Sequence, residues 1–247
     1  MRFCCPSCGR DEEILNDPNP RCRFCPGEMM IEASDYSEFW MSPYIVIRRM
    51  ATISEAHGIE RARSDGQFKK EREAWTTGVL ALALSKLEDR QRWIEIETVD
   101  RTPDTKLHEI DQSSGHNVIQ TRSIEIVDWQ ENVEDIMEVI GKKCERAYPS
   151  DYLLVVNARH RGKPLSFDRV IEEMKSVDSP FLEVWVVACV GKDDFKVVRV
   201  APSGISIDLN LPPELERAKQ QPPFMKRGTR GTGTEFRNLG PAYLPIP

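Results

Sequence analysis

The chain has 247 residues, of which 40 % are hydrophobic and 30 % are charged, and its net charge is −6. This length suits one substantial core plus a small module, and the acidic balance is not that of a strongly basic nucleic-acid-binding protein. No run of about 18 apolar residues occurs, so we expect no membrane span. The first residues lack the apolar stretch of a signal peptide, which predicts a cytoplasmic protein.

Five of the seven cysteines lie within the first 25 residues. They include two Cys-x-x-Cys pairs that are separated by 13 residues, Cys5 with Cys8 and Cys22 with Cys25. Four thiolates at this spacing are typical of a closed, structural Zn²⁺ site. We therefore predict that residues 1–31 form a zinc ribbon whose folding free energy comes from metal binding.

Two questions about this ribbon stay open at the level of sequence. Cys4 is an alternative ligand to Cys5, although its three-residue separation from Cys8 fits a zinc knuckle less well. Zinc ribbons bind nucleic acid, bind protein or support a neighbouring domain. The ribbon's own charge is close to neutral, which weakens the case for nucleic acid.

Hydrophobic periodicity predicts one larger domain over residues 68–211, after a linker with a connecting helix over residues 32–67. Helices are predicted over 71–87, 131–148 and 167–177, and strands over 93–99, 103–110, 118–129, 152–156, 183–190 and 195–200. Strands that alternate with helices in this way predict an α/β fold with a mixed sheet flanked by helices.

Residues 212–247 differ in composition from the domain. They are rich in proline and glycine, and from Arg217 onward they contain six Lys or Arg residues against one Glu. Such a segment has little apolar surface to bury, so we predict a basic tail that is disordered from about Pro222. Its charge suits a non-specific contact with a polyanion.

Three acidic residues occupy notable positions in the predicted domain. Glu73 lies near the start of the first helix, Asp104 follows Pro103 at the second strand, and Glu125 lies in the third strand on the face opposite Ile124. Carboxylates on neighbouring strands can hold Mg²⁺, which polarises a phosphodiester and activates water. Each acid alone is more simply explained as a helix-terminal, turn-capping or solvated charge, so the hypothesis depends on their joint arrangement.

The order helix–strand–strand–strand–helix–strand over residues 68–156, with Pro103-Asp104 and then Glu125-Ile126-Val127, resembles the restriction-endonuclease-like PD-(D/E)xK superfamily. The resemblance implies that Asp104 and Glu125 bind Mg²⁺ and that Glu73 assists them. In that family a lysine two residues after the strand acid orients or activates the attacking water. Here that position is Val127.

The missing lysine leaves three alternatives. Lys142 or Lys143 replaces it from the following helix, Lys106 replaces it from the second strand, or the domain has lost catalysis and kept binding.

Taken as a whole, the resemblance implies a Mg²⁺-dependent DNA endonuclease with a zinc-ribbon head. The alternative is a non-catalytic nucleic-acid- or protein-binding protein on a degenerate nuclease fold. Domains of this type often pair as dimers, but this sequence indicates no dimer interface and does not separate DNA from RNA.

Overall fold

The computed structural model describes residues 2–4, 11–13, 31–32, 39–97, 102–111, 118–130, 133, 135–159, 164–222, 224–230 and 233–238. These residues form a mixed sheet of ten strands flanked by helices, together with a separate three-stranded sheet near the N-terminus. The predicted α/β class is therefore confirmed at this level. Within these residues no helix combines the length and apolar character needed to cross a bilayer.

The small sheet is antiparallel in the order β2-β1-β3, and its strands are β1 (Arg2–Cys4), β2 (Asp11–Glu13) and β3 (Ile31–Glu32). The large sheet has the order β11-β10-β9-β8-β7-β6-β5-β4-β12-β13. Its strands are β4 (Phe39–Met41), β5 (Arg92–Ile96), β6 (Thr105–Asp111), β7 (Val118–Trp129), β8 (Leu153–Ala158), β9 (Glu183–Cys189), β10 (Asp194–Ala201), β11 (Ile205–Asn210), β12 (Phe224–Arg230) and β13 (Gly233–Asn238). The helices are α1 (Pro43–His57), α2 (Ile59–Ser64), α3 (Lys69–Glu88), α4 (Ile136–Cys144), α5 (Phe167–Met174) and α6 (Leu211–Ala218).

Two strand pairs in the large sheet are parallel, β7 with β8 and β8 with β9, and the other described pairs are antiparallel. Parallel neighbours need a crossover connection, and α4 and α5 supply the two crossovers. Both helices pack on the same face, where Ile136 and Val170 meet Leu154 and Val156 of β8. The order α3-β5-β6-β7-α4-β8 is the helix–strand–strand–strand–helix–strand order expected from the sequence.

The other face of the sheet is covered by α1, α3 and α6. Helices α1 and α3 pack closely at Gly78 of α3, where there is no room for a side chain. A Cβ atom added at Gly78 would lie 2.7 Å from Val46 Cγ2 and 3.3 Å from Ile47 Cγ1. Helix α1 begins where the hydroxyl of Ser42 accepts the Ile45 N–H at 3.4 Å. Pro43 follows in the first turn, where a missing N–H costs nothing.

The segments on either side of the predicted domain also contribute to it. In the stretch predicted to be a linker, β4 joins the sheet and α1 joins the core, with Met41 and Ile45 fully buried. After residue 211, α6 packs on the same core and the backbone of β12 pairs with β4. Local composition did not indicate these additions, because short apolar segments become buried only when distant strands and helices cover them.

Candidate active site

The site forms at the start of strand β6, where strand β7 leaves its pairing with β6 and continues beside β8. The pairing of β6 with β7 stops at Thr105 and Ile124. One residue earlier, the Asp104 N–H donates to the Ile124 carbonyl at 2.9 Å. The Asp104 carboxylate then takes the place of a strand carbonyl, because its Oδ2 accepts the Ile126 N–H at 2.8 Å. This side chain is therefore held firmly at the fork between the two strands.

A cleft of about 400 Å³ opens at this fork, and we call it the acidic cleft. Its lining includes Glu73, Asp104, Glu125, Val127 and Lys143. The three acids are only 6 %, 8 % and 4 % exposed, respectively, so neither Glu73 nor Glu125 is the exposed charge that its simpler explanation required. Buried carboxylates need charged or hydrogen-bonding partners, and the structure supplies several.

Glu73 reaches the cleft from the second turn of α3. A hydrogen bond of 2.7 Å between the Thr77 and Thr105 hydroxyls ties this helix to the start of β6. Burial and the negative charge of Asp104 raise the pKa of Glu73, while Lys70 and Lys69 oppose that rise. The cause is that two carboxylates share one poorly solvated space.

Glu125 enters the cleft from β7 and is bound on one side only. Its Oε1 accepts hydrogen bonds from Lys143 Nζ at 2.5 Å and from the Tyr148 hydroxyl at 3.2 Å. Its Oε2 is buried and has no hydrogen-bond partner among the described residues. A buried carboxylate oxygen in this state costs free energy unless a cation or water reaches it.

The structure distinguishes between the three lysines that are candidates to replace the lysine missing at Val127, because each has different surroundings. Lys143 points into the acidic cleft, with its side chain 16 % exposed. Lys142 lies on the outer face of α4, where it pairs with Glu138 at 2.6 Å and is 66 % exposed. Lys106 pairs with Glu95 at 2.6 Å and is not among the residues that line the cleft. Of the three lysines, Lys143 is the one brought to the acids.

The helical repeat could have distinguished Lys143 from Lys142. Lys143 follows Ile140 by three residues and Ile136 by seven, and both isoleucines are fully buried. Residues at these separations share one face of a helix. The apolar stripe of α4 therefore indicates that Lys143 faces the sheet and Lys142 does not.

Lys70 is a site residue that sequence reasoning missed. Its Nζ lies 3.1 Å from Glu73 Oε2 and 3.8 Å from Asp104 Oδ1. The same nitrogen is buried and makes no hydrogen bond of normal geometry with the described residues. Its position three residues before Glu73 on one helix was the available signal. No comparable signal marks Tyr148, which follows α4.

The oxygen atoms of the acidic cleft could supply some, but not all, of the ligands of a hard cation such as Mg²⁺. Within the described residues, no three His, Cys, Asp or Glu side chains are arranged to enclose a metal ion by themselves. Mg²⁺ does not require such a cage, because it is commonly held by one or two carboxylates together with waters and substrate phosphates. The unpartnered Oε2 of Glu125 and the Oδ1 of Asp104 are oxygens of the required kind.

The predicted zinc ligands Cys5, Cys8, Cys22 and Cys25 lie outside the described residues. Comparisons with family models, with curated proteins and with solved structures found no match to this chain. Any functional assignment therefore depends on the residues of the chain itself.

Proposed function

We propose that this protein is a Mg²⁺-dependent endonuclease with a restriction-endonuclease-like domain and an N-terminal zinc-ribbon head. The observation that carries the proposal is the meeting of Glu73, Asp104, Glu125 and Lys143 in one buried cleft. These residues come from α3, from the start of β6, from β7 and from α4. The resemblance to the PD-(D/E)xK superfamily implies the three acids and a lysine at the position of Val127, and in this proposal Lys143 of α4 takes the place of that lysine.

Asp104 and Glu125 are the residues that would hold the cation, with Glu73 beside them. When bound, a divalent cation supplies charge neutralisation at a phosphodiester and lowers the pKa of water. The chain itself contributes a fixed geometry. Asp104 is held by the Ile126 N–H at 2.8 Å, and Glu125 is held by Lys143 and Tyr148, so neither acid must reorganise when substrate arrives.

Lys143 has two roles in this proposal. It compensates the charge of Glu125 in the free protein. Its ammonium group also stands at the edge of the cleft, where it can orient an attacking water or stabilise negative charge on a phosphoryl oxygen. A lysine can fill this role from α4 as well as from β7, because the reaction needs the position of the amine and not its place in the sequence.

The proposal is tested by incubating supercoiled plasmid DNA with the full chain and Mg²⁺ or Mn²⁺. Asp104→Asn is the informative variant, because an asparagine oxygen still accepts the Ile126 N–H while the negative charge is lost. Glu138→Gln, an exposed acid on α4, is the matched control. We expect nicking or linearisation by the wild type and by Glu138→Gln but not by Asp104→Asn. Equal cleavage by Asp104→Asn would overturn the assignment.

One observation favours the non-catalytic alternative, a binding protein on a degenerate nuclease fold. Lys70 Nζ lies at ion-pair distance from both Glu73 and Asp104, so a side chain already supplies positive charge between two acids of the site. If this ammonium replaced the metal permanently, the wild type would cleave nothing and would bind neither Mg²⁺ nor Mn²⁺. Calorimetric titration of the chain with Mn²⁺ separates the two functions.

A further inference from the structure

A second cleft adjoins the acidic cleft, and we call it the arginine cleft. It has a volume of about 390 Å³, and its lining includes Arg63, Arg72 and Arg159. Arg72, Asp128 and Gln130 line both clefts. The two clefts are therefore adjacent, and we refer to them together as the groove.

The guanidinium groups in the arginine cleft are positioned largely by backbone carbonyls. Arg72 Nη1 donates to the Asp65 carbonyl at 2.6 Å and to the Ala62 carbonyl at 3.3 Å. Arg159 Nη2 donates to the Arg63 carbonyl at 2.6 Å. These bonds fix the direction of the side chains. They do not neutralise the positive charge, because a carbonyl group carries no net charge.

Carboxylates also line the arginine cleft. Its lining contains the acids Glu60 and Asp128 beside the three arginines. Asp128 contacts Arg159 at 2.8 Å and also accepts a hydrogen bond from Asn157 at 2.9 Å. Burial and the positive charge of Arg159 lower the pKa of Arg72, while the negative charges of Asp128, Glu73 and Glu71 oppose that fall. Like charges held close together in this way are stabilised when an anion binds between them.

We propose that the arginine cleft binds backbone phosphates of a nucleic-acid strand whose scissile phosphodiester lies in the acidic cleft. The inference rests on the proposed function and adds a substrate-binding site to it. Guanidinium groups bind phosphate through paired N–H donors. The described lining contains no aromatic ring on which a base could stack, so the contacts made here are to phosphate and independent of base sequence.

Binding is measured without cleavage, by the fluorescence anisotropy of a labelled single-stranded DNA of ~20 nucleotides, in buffer without added Mg²⁺ or Mn²⁺ and over ~50 to 200 mM salt. Arg72→Gln and Arg159→Gln are each expected to weaken binding about three- to tenfold, and to reduce the slope of log K against log salt by about one. Arg217→Gln is the matched control, because that exposed arginine on α6 pairs with Glu214 and does not line either cleft. It is expected to bind as the wild type does.

A second variant separates phosphate binding from a purely structural role of the arginines. Asp128→Asn removes a negative charge from the groove and is expected to strengthen binding about threefold and to steepen the salt dependence. A structural role predicts no gain. Unchanged binding by both arginine variants, or no gain in Asp128→Asn, would overturn the inference.

The measurement is also independent of the cleavage assay. Arginine-dependent binding by a chain that cleaves no DNA would refute the nuclease alone and would support the arginine cleft as a nucleic-acid site. Metal-dependent cleavage with arginine-independent binding would refute the arginine cleft alone.

Discussion

Lys143 Nζ on helix α4 lies 2.5 Å from Oε1 of Glu125 on strand β7. The pair joins the helix that follows β7 to the acid within β7, and both side chains are largely buried, at 16 % and 6 % exposure. A charge pair in such a place is costly to break, because removing one partner leaves the other uncompensated. In the proposed nuclease, this pair is how a lysine of α4 would serve the site in place of Val127.

Replacing Lys143 by methionine tests that role. We expect Lys143→Met to lower the rate of DNA cleavage by about 10²-fold or more, the usual loss when a positioned acid–base or electrostatic group is removed. Lys142→Met, the neighbouring change on the exposed face of α4, is expected to stay within about twofold of the wild type. Rates are measured on plasmid DNA, and thermal unfolding verifies that both variants fold. Similar rates for the two variants would refute the assignment.

Replacing Lys70 by methionine should strengthen metal binding. The ammonium group lies 3.1 Å from Glu73 Oε2 and 3.8 Å from Asp104 Oδ1, so it competes with a divalent cation for the same negative charge. Removing a unit charge at ~4 Å changes the interaction by on the order of 1–4 kcal/mol, so we expect Mn²⁺ to bind about tenfold more tightly. Calorimetric titration measures this. Lys69→Met, a change at a 52 % exposed lysine beside Glu73, should have a smaller effect, and weaker binding by Lys70→Met would contradict the competition.

Glu95 should make the stability of the protein depend on pH. Burial alone would raise the pKa of Glu95, but hydrogen bonds from His108 and Lys106 outweigh burial and lower the pKa from 4.5 to about 2. A carboxyl group with a depressed pKa contributes stability above its unfolded-state value, and this contribution is lost as pH falls from 4.5 towards 2. After allowance for solvent screening, the contribution at neutral pH is about 1–2 kcal/mol.

Glu95→Gln isolates this contribution. Urea unfolding at neutral pH is expected to show a loss of about 1–2 kcal/mol relative to the wild type, and the difference should shrink as the pH approaches 3. The exposed Glu172→Gln is the control and should match the wild type at each pH. A difference between Glu95→Gln and the wild type that does not vary with pH would show that the carboxylate charge is not its cause.

Two glycines in helices should respond oppositely to alanine. A Cβ atom at Gly78 would lie 2.7 Å from Val46 Cγ2, so Gly78→Ala forces α1 and α3 apart and should cost about 1–3 kcal/mol. At Gly141 in α4 a Cβ atom meets nothing within 4 Å. Gly141→Ala should therefore stabilise the protein by about 0.5–1 kcal/mol through helix propensity. Thermal and urea unfolding measure both changes, and a stabilising Gly78→Ala would contradict the close helix contact.

The predicted zinc ribbon has a direct chemical test. The purified chain should contain about one zinc ion, and Cys22→Ser should lose most of it, because a four-thiolate site rarely keeps its metal with three ligands. Cys189→Ser, at an exposed free thiol that is more than 160 residues from Cys25 in the sequence, should retain the full content. Zinc is measured by atomic absorption after dialysis. A wild type without zinc would refute the ribbon and leave the nuclease proposal unaffected.

Much of the main domain could be read from local patterns. The apolar repeat of α3 and the alternation of β5 and β7 depend on neighbouring residues, so the sequence alone predicted them within a few positions. Strand β11 was missed although its residues, Ile205 to Asn210, alternate between apolar and polar side chains. Strand β4 carried no such pattern, since three residues are too few to show a period.

The sequence by itself determined the period of each main element and the spacing of the cysteine pairs. Only the tertiary structure decided that Asp104 and Glu125 line one cleft, that Lys143 and not Lys142 reaches Glu125, and that Lys70 lies between Glu73 and Asp104. The physical reason is that the hydrophobic period of a helix or strand depends only on residues that are neighbours along the chain. A distance between side chains on different elements depends on where β6 and β7 part and on how α3 and α4 dock against them.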